Sequence, residues 1–234
     1  MLLQVSSDGC HLQFAQKEGV WMKLFSYYYS SAAFRIRIAL NLKGIEPEYV
    51  PVNISPQVQG QFAPEYLALN PEGRVPAIAT DQGVLGQSMA ILEWLEATHP
   101  EPPLLPSDPW QAAKCRAFAN TVACDIHPLN NQAVLRKLVE DFGASEEQKR
   151  SWYHHWIGRG FAALERQASE RTTPYLFSEA PTFAEICLIP QIRNARRFEM
   201  DLSEFPVLTG IEAKCYELAA FEAARPENQP DAPE

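Results

Sequence analysis

Basic residues are scarce in this 234-residue chain: 20 lysines and arginines stand against 29 aspartates and glutamates, for a net charge of −9. No broad basic surface is offered to phosphates, which excludes nucleic acid as a partner. Long apolar runs are also missing, so no segment is expected to span a membrane. Cysteines are few and scattered: Cys10, Cys115, Cys124, Cys187 and Cys215 form no C-x-x-C pair and no metal-ligand spacing. They are expected to be reduced thiols in a reducing, cytoplasmic compartment, and no metal site is predicted. The G-x-S-x-G, H-E-x-x-H, Walker and dinucleotide fingerprints are absent. Residues 1–21 lack the charged start, apolar centre and cleavage site of a signal peptide. They are read as a non-native or disordered leader. Lys17-Glu18-Gly19 can be encoded by a ribosome-binding-like sequence, which makes Met22 the expected natural start.

What remains is ordinary in composition, with 46% hydrophobic and 21% charged residues. That supports one large or two modest soluble domains. Met22 to Ser26 reads as a strand, followed by an amphipathic helix to about Lys43 that stops at Gly44. A second apolar run covers Tyr49 to Ile54, and a short helix is expected from Gln61 to Leu67. Val75 to Ala79 reads as a strand, Asp81-Gln82-Gly83 as its turn, and Val84-Leu85 as the hairpin partner. Ser88 then opens a helix with Ile91, Leu92, Trp94 and Leu95 on its apolar face. The order β-α-β, then β-β-α, gives a small α/β sandwich. Pro76 removes a ladder donor, so it marks an edge, the first residue of the strand, or a cis peptide.

Residues 97–109 hold Pro100, Pro102, Pro103, Pro106 and Pro109 and read as a linker. Beyond it the periodicity is helical, over about 110–140, 145–168, 183–198 and 208–222. Thr182-Phe183-Ala184-Glu185 has capping-box spacing. The tail from Pro226 is polar and proline-rich and is expected to be disordered or loosely docked. The expected division is 22–104 for the α/β domain and 105–231 for an all-helical one.

Chemistry concentrates at the head of the first helix. Ser30 and Ser31 sit where free N–H groups and the positive helix end favour an anion or a thiolate. Either serine can be an N-cap or a donor to a ligand's sulfur. Arg193, Arg196 and Arg197 form the only tight basic cluster, suited to a small anionic substrate. His127 precedes Pro128 and is structural or catalytic. His154 and His155 diverge on a helix and read as interface or surface residues.

Several segments carry a resemblance: Ser30 to Leu40; Ala68-Leu69-Asn70-Pro71 through Val75-Pro76; Gln87 to Ile91; Cys124 to Asn131; and Pro190-Gln191 through Phe198. In this order and spacing the chain, over roughly residues 22–231, resembles the cytosolic glutathione transferases. Within them it is similar to the zeta class, which includes maleylacetoacetate and maleylpyruvate isomerases. The resemblance implies a thioredoxin-like βαβ-ββα domain followed by an all-helical domain, glutathione as cofactor, and a homodimer.

By the same resemblance, Ser30 and Ser31 hold the glutathione thiolate, and Arg35 of that motif joins the cofactor-binding set. Val75-Pro76 is a cis element that pairs with the cysteinyl unit. Gln87 and Ser88 hold the γ-glutamyl end and Gln61 lies near the glycyl end. His127 faces thiol and substrate, Asn131 contacts glutathione across the cleft, and Arg197 binds a substrate carboxylate, for which a guanidinium is suited. Arg196 is read as solvated. Ala32 departs from the family's Cys or Ser, and Tyr29 from its usual Arg. The implied reaction is cis–trans isomerisation of a maleyl diacid by thiolate addition, rotation and elimination. Maleylacetoacetate would belong to tyrosine breakdown and maleylpyruvate to gentisate breakdown. The alternatives are a transferase conjugating electrophiles such as α-haloacids, with weak peroxide reduction also open, or a non-catalytic binding module of the same fold.

Overall fold

The computed structural model describes residues 22–233, so the expected leader, with Cys10, lies outside the described residues. Strand β1 (Lys23–Ser26), helix α1 (Ser31–Leu42), strand β2 (Glu48–Pro51), helix α2 (Pro64–Leu67), strands β3 (Ala77–Thr80) and β4 (Gly83–Gly86), and helix α3 (Ser88–Thr98) follow in the expected order. The sheet runs β2-β1-β3-β4, with β1 parallel to β2 and the other pairs antiparallel. The period-2 alternation of strands assigns its faces. Leu24 and Ile78 join Phe34, Ile38, Ile91 and Leu92 on the side of α1 and α3. Phe25, Ala77 and Ala79 turn to the opposite side, against Val52, Tyr66 and Val75.

The helical half comprises α4 (Pro109–Asn120), α5 (Gln132–Phe142), α6 (Glu146–Ser169), α7 (Phe183–Arg197), α8 (Pro206–Cys215) and α9 (Ala219–Ala223). Three expectations are corrected here. The helix expected over 110–140 is broken into α4, a widened π turn (Thr121–Ile126), a 3-10 turn (His127–Asn130) and α5. Pro128 removes a donor, and Asn131, extended at ψ 158°, restarts the helix as its N-cap. The widened turn lies against α6 at Gly160, where an added Cβ would collide with Ile126 Cδ1. The helix expected over 208–222 is two helices. The break turns α9 across α1, where Ala220 C=O accepts from Asn41 Nδ2 and Ala224 C=O from Arg37 Nε. The tail is docked rather than loose. Asp231 accepts from Tyr28 N–H at 3.0 Å and from Tyr49 O–H at 2.6 Å, and Glu227 pairs with Arg193.

The two halves share one hydrophobic core. Leu24, Ile36 and Ile91 belong to the same buried cluster as Phe118, Ile157 and Leu188, and α1 packs on α7. The proline-rich linker is pinned to both sides. Leu104 is buried, its N–H donates to the Glu96 carboxylate, and its C=O accepts from Phe183 N–H.

That last bond ends at the start of α7, where the expected capping box is formed in full and buried. Thr182 Oγ1 accepts from Ala184 N–H. Glu185, with no exposed surface, accepts from Thr182 N–H at 2.8 Å, Thr182 Oγ1 at 2.7 Å and Leu176 N–H at 2.5 Å. Removing that carboxylate leaves three buried donors unmet. Glu185→Ala is therefore expected to cost about 3 kcal/mol in urea unfolding with an unchanged m-value.

Candidate functional site

Ser30 is the N-cap of α1. Its φ/ψ are extended and its Oγ accepts from Ala33 N–H at 3.2 Å. Ser31 is the first helical residue, half-buried, and its hydroxyl makes no hydrogen bond among the described residues. Capping thus explains Ser30, and Ser31 offers an uncommitted hydroxyl at the positive end of the helix.

The loop that delivers these serines is held from below by Arg37. This buried guanidinium donates to Ser26 Oγ, Tyr27 C=O, Tyr28 C=O and Ala224 C=O. Burial pushes it down to about 10, still charged at neutral pH. Asp231 takes the Tyr28 N–H from the other side. Neither Arg37 nor Asp231 was singled out from the sequence. Two arginines among Ala33, Phe34, Ile36, Ile38, Ala39 and Leu40 were the available signal, since charges inside an apolar helix stretch must be answered by buried oxygens.

Arg35 is also buried and reaches Ser88 Oγ at 3.1 Å, while its Nε and Nη2 have no partner. Burial lowers its pKa, partly offset by the nearby Cys187 and Cys124. Ser88 is the first residue of α3, not its cap; Gln87 occupies the cap position with φ +63°. That φ lies in the left-handed region, uncommon for a residue with a side chain. The Gln87 amide is exposed and donates to Glu72 Oε2 at 2.5 Å. Glu72 is a further neighbour that the sequence did not mark.

The Val75–Pro76 peptide is cis. Neither residue is paired in the sheet ladder, which begins at Ala77, so the strand expected to start at Val75 starts two residues later. Both side chains are buried. Gln61 lies in a 3-10 turn (Gly60–Phe62), half-buried, with a buried Oε1 that has no partner.

His127, half-buried at the start of the 3-10 turn, lies near the charges of Arg35 and Arg74. Burial first, and then the positive charges of Arg35 and Arg74, push its pKa down to about 3. Arg74, immediately before the cis pair, is another neighbour missed by sequence. Asn131 caps α5: Oδ1 accepts from Val134 N–H and Nδ2 donates to Pro128 C=O. Both of its polar ends are thus used locally, and no hydrogen bond carries it across to the α/β half.

The three arginines near the end of α7 are distinguished by their partners. Arg193 pairs with Glu227, and Arg196 with Glu212 at 2.5 Å. Arg197 has no carboxylate partner among the described residues. Its Cζ lies 4.1 Å from the centre of the Tyr29 ring, directly before Ser30. His154 Nε2 lies 2.6 Å from the Phe198 carbonyl oxygen, tying α6 to the end of α7, and His155 is exposed. No group of His, Cys, Asp or Glu among the described residues is arranged to hold a metal. No described helix is long and apolar enough to cross a membrane.

Residues 24–103 match the family model of the glutathione S-transferase N-terminal domain. The chain is 44% identical over 213 residues to the maleylacetoacetate isomerase of Pseudomonas aeruginosa, covering 91% of this chain and 99% of that one. It superposes with a TM-score of 0.87 at 42% identity on the holo structure of a maleylpyruvate isomerase, a bacterial zeta-class glutathione S-transferase, over 90% of this chain and 100% of the other. A maleylacetoacetate isomerase of Methylobacterium extorquens AM1, solved with bound malonate and GSH, superposes with a TM-score of 0.85 at 36% identity, over 91% and 100%.

A pH consequence follows for His127. Its folded pKa of about 3 lies below the ordinary 6.5, so the unfolded chain takes up this proton first. Its contribution to stability is present above about 6.5 and is lost as pH falls toward 3. The ring resonances of His127 are expected to stay fixed between about pH 5 and 8 by NMR. His127→Gln should lose less stability than the parent on acidification from about pH 7 to 4.5. Titration of His127 near 6.5 would show instead that the ring is solvated.

Proposed function

The chain belongs to the zeta class of the glutathione transferases, the family of the maleylacetoacetate and maleylpyruvate isomerases, and on that basis we propose that it is a glutathione-dependent cis–trans isomerase of a maleyl diacid. The observation that carries the choice of substrate is Arg197, a guanidinium free of any carboxylate among the described residues and set beside the residue that precedes the serine pair.

The residues present fit a tripeptide carrying two carboxylates and a thiol. The uncommitted Ser31 hydroxyl and the N–H groups at the head of α1 suit an anion. The cis Val75–Pro76 pair, outside the ladder, offers main-chain groups for β-type pairing. Ser88 at the start of α3, with exposed Gln87 beside it, suits a terminal carboxylate. The buried, unpartnered Oε1 of Gln61 is an acceptor awaiting a donor. Glutathione, when bound, supplies the thiolate that adds to the cis double bond, permits rotation and is eliminated unchanged.

The protein's part is electrostatic. Ser30 and Ser31 stabilise the sulfur anion with the helix end. Arg35, buried with its Nε and Nη2 unpartnered, adds positive potential from within the protein. Neutral His127 can donate or accept one hydrogen bond toward the substrate without competing as a cation. Arg197 holds a substrate carboxylate through its in-plane N–H edge. Asn131, capping α5, supports the cleft wall rather than reaching across it.

A second reading rests on Ala32, which puts a methyl where the family has a third thiol or hydroxyl. With less help for the thiol, conjugation of small electrophiles such as α-haloacids becomes the competing activity. Loss of maleylacetone absorbance, followed with and without glutathione, decides between them. Glutathione-dependent loss is expected, and Ser30→Ala/Ser31→Ala should lower it by at least about 100-fold. No loss in the parent, with glutathione still bound, would move the assignment to conjugation. In the same assay Arg197→Ala should raise the acid substrate's KM at least about tenfold while glutathione's stays within about twofold.

The reducing cytoplasm is supported by Cys115, Cys124, Cys187 and Cys215, all free thiols. We also propose a homodimer, as the family resemblance implies. Sedimentation equilibrium is expected to return twice the chain mass, and a single-chain mass would overturn the assignment.

A further inference from the structure

Arg197, the cation assigned above to the substrate carboxylate, is held by rings rather than by acids. Tyr29 lies under its guanidinium at 4.1 Å and Phe198 stands at 5.2 Å. Tyr153, buried, stacks on Phe198 at 3.7 Å and 17°, so the second ring is itself fixed. Arg193, one turn earlier on α7, lies 5.4 Å from the same Tyr29 ring, but its charge is answered by Glu227. The contrast matters chemically. A carboxylate partner occupies the N–H edge of a guanidinium, whereas an aromatic face takes the flat side and leaves that edge open.

Tyr29 belongs to the β1–α1 loop and Arg197 to α7, so the contact joins the two halves of the molecule. The loop end of the stack is rigid, because Arg37 and Asp231 hold Tyr28 on both sides. Arg197 is exposed, and without the ring its long side chain would sample many rotamers before any ligand arrived.

We propose that Tyr29 is a positioning residue for substrate recognition: its ring holds the Arg197 guanidinium flat beside Ser30, so that the open N–H edge meets the carboxylate of a small diacid. This rests on the isomerase reading and deepens it. Tyr29 acts through its face and not through its hydroxyl.

The test uses the full chain with Tyr29→Leu and Tyr29→Phe. It measures KM for the maleyl acid and for glutathione, and calorimetric binding of malonate, an unreactive diacid, with glutathione present. Tyr29→Leu is expected to raise the acid KM and weaken malonate binding about fivefold, with glutathione KM within about twofold. Tyr29→Phe should stay within about twofold of the parent on all three. In an Arg197→Ala background, Tyr29→Leu should add less than about twofold, because the residue acts through Arg197. The proposal is overturned if Tyr29→Leu leaves acid KM and malonate binding unchanged. It is equally overturned if glutathione KM rises as much, or if Tyr29→Phe is as weak as Tyr29→Leu. Should Tyr29→Leu not fold, Tyr29→Ser at this half-buried position takes its place. If the parent fails to isomerise the acid yet malonate binding responds to Leu and not to Phe, the isomerase reading falls and the role of Tyr29 stands.

Discussion

Arg37 donates to Ser26, Tyr27, Tyr28 and Ala224 from a position with almost no exposed surface, and the path of the chain into α1 depends on those four bonds. Burying a guanidinium is costly unless its N–H groups are met. Here they are met by the oxygens of the loop that leads into α1. The loop therefore has one low-energy path, and the serines at its end have one place to stand. The same bonds reach Ala224, just after α9, so the last helices of the chain are part of the support for the first. Asp231 completes the hold through the Tyr28 N–H and the Tyr49 hydroxyl. This explains why the polar tail is docked and why the chain breaks between α8 and α9.

Two residues earlier on α1, Arg35 is treated oppositely. It has one hydroxyl partner, Ser88, and two nitrogens, Nε and Nη2, without a partner. A poorly answered buried cation makes its surroundings positive, and that charge adds to burial, the larger cause, in keeping His127 neutral. Cys187, by contrast, is pushed up to about 11 by burial and is a core thiol without nucleophilic character, although Arg35 pulls the other way.

At the far end of α7, three arginines of one type have three fates. Acids take Arg193 and Arg196, and rings take Arg197. A cation neutralised by a near carboxylate has little left for a ligand, whereas one resting on an aromatic face keeps its directional donors. Tyr29 from the loop and Phe198 at the end of α7 flank one guanidinium, and Tyr153 of α6 stacks on Phe198.

The sequence by itself determined the order of strands and helices in the first half, because alternation in Phe25, Ala77 and Ile78 and the helical period of Phe34 to Leu40 are local properties. It also carried the capping box at Thr182 and Glu185, whose spacing is chemistry within one turn. Its motifs pointed to Ser30, Ser31, Val75, Pro76, Gln87 and Ser88 as one site. What local pattern could not settle lay in partners far along the chain. Whether Ser30 or Ser31 caps α1, whether Asn131 is free, and which of three arginines is uncommitted each depend on atoms that folding brings together. The long helix expected over 110–140 failed for the same reason. Periodicity records which face is apolar, not whether Pro128 and the close approach of Gly160 will break the backbone. The tertiary structure alone decided which polar groups are already satisfied, since hydrogen-bond and charge partners are chosen by distance in space.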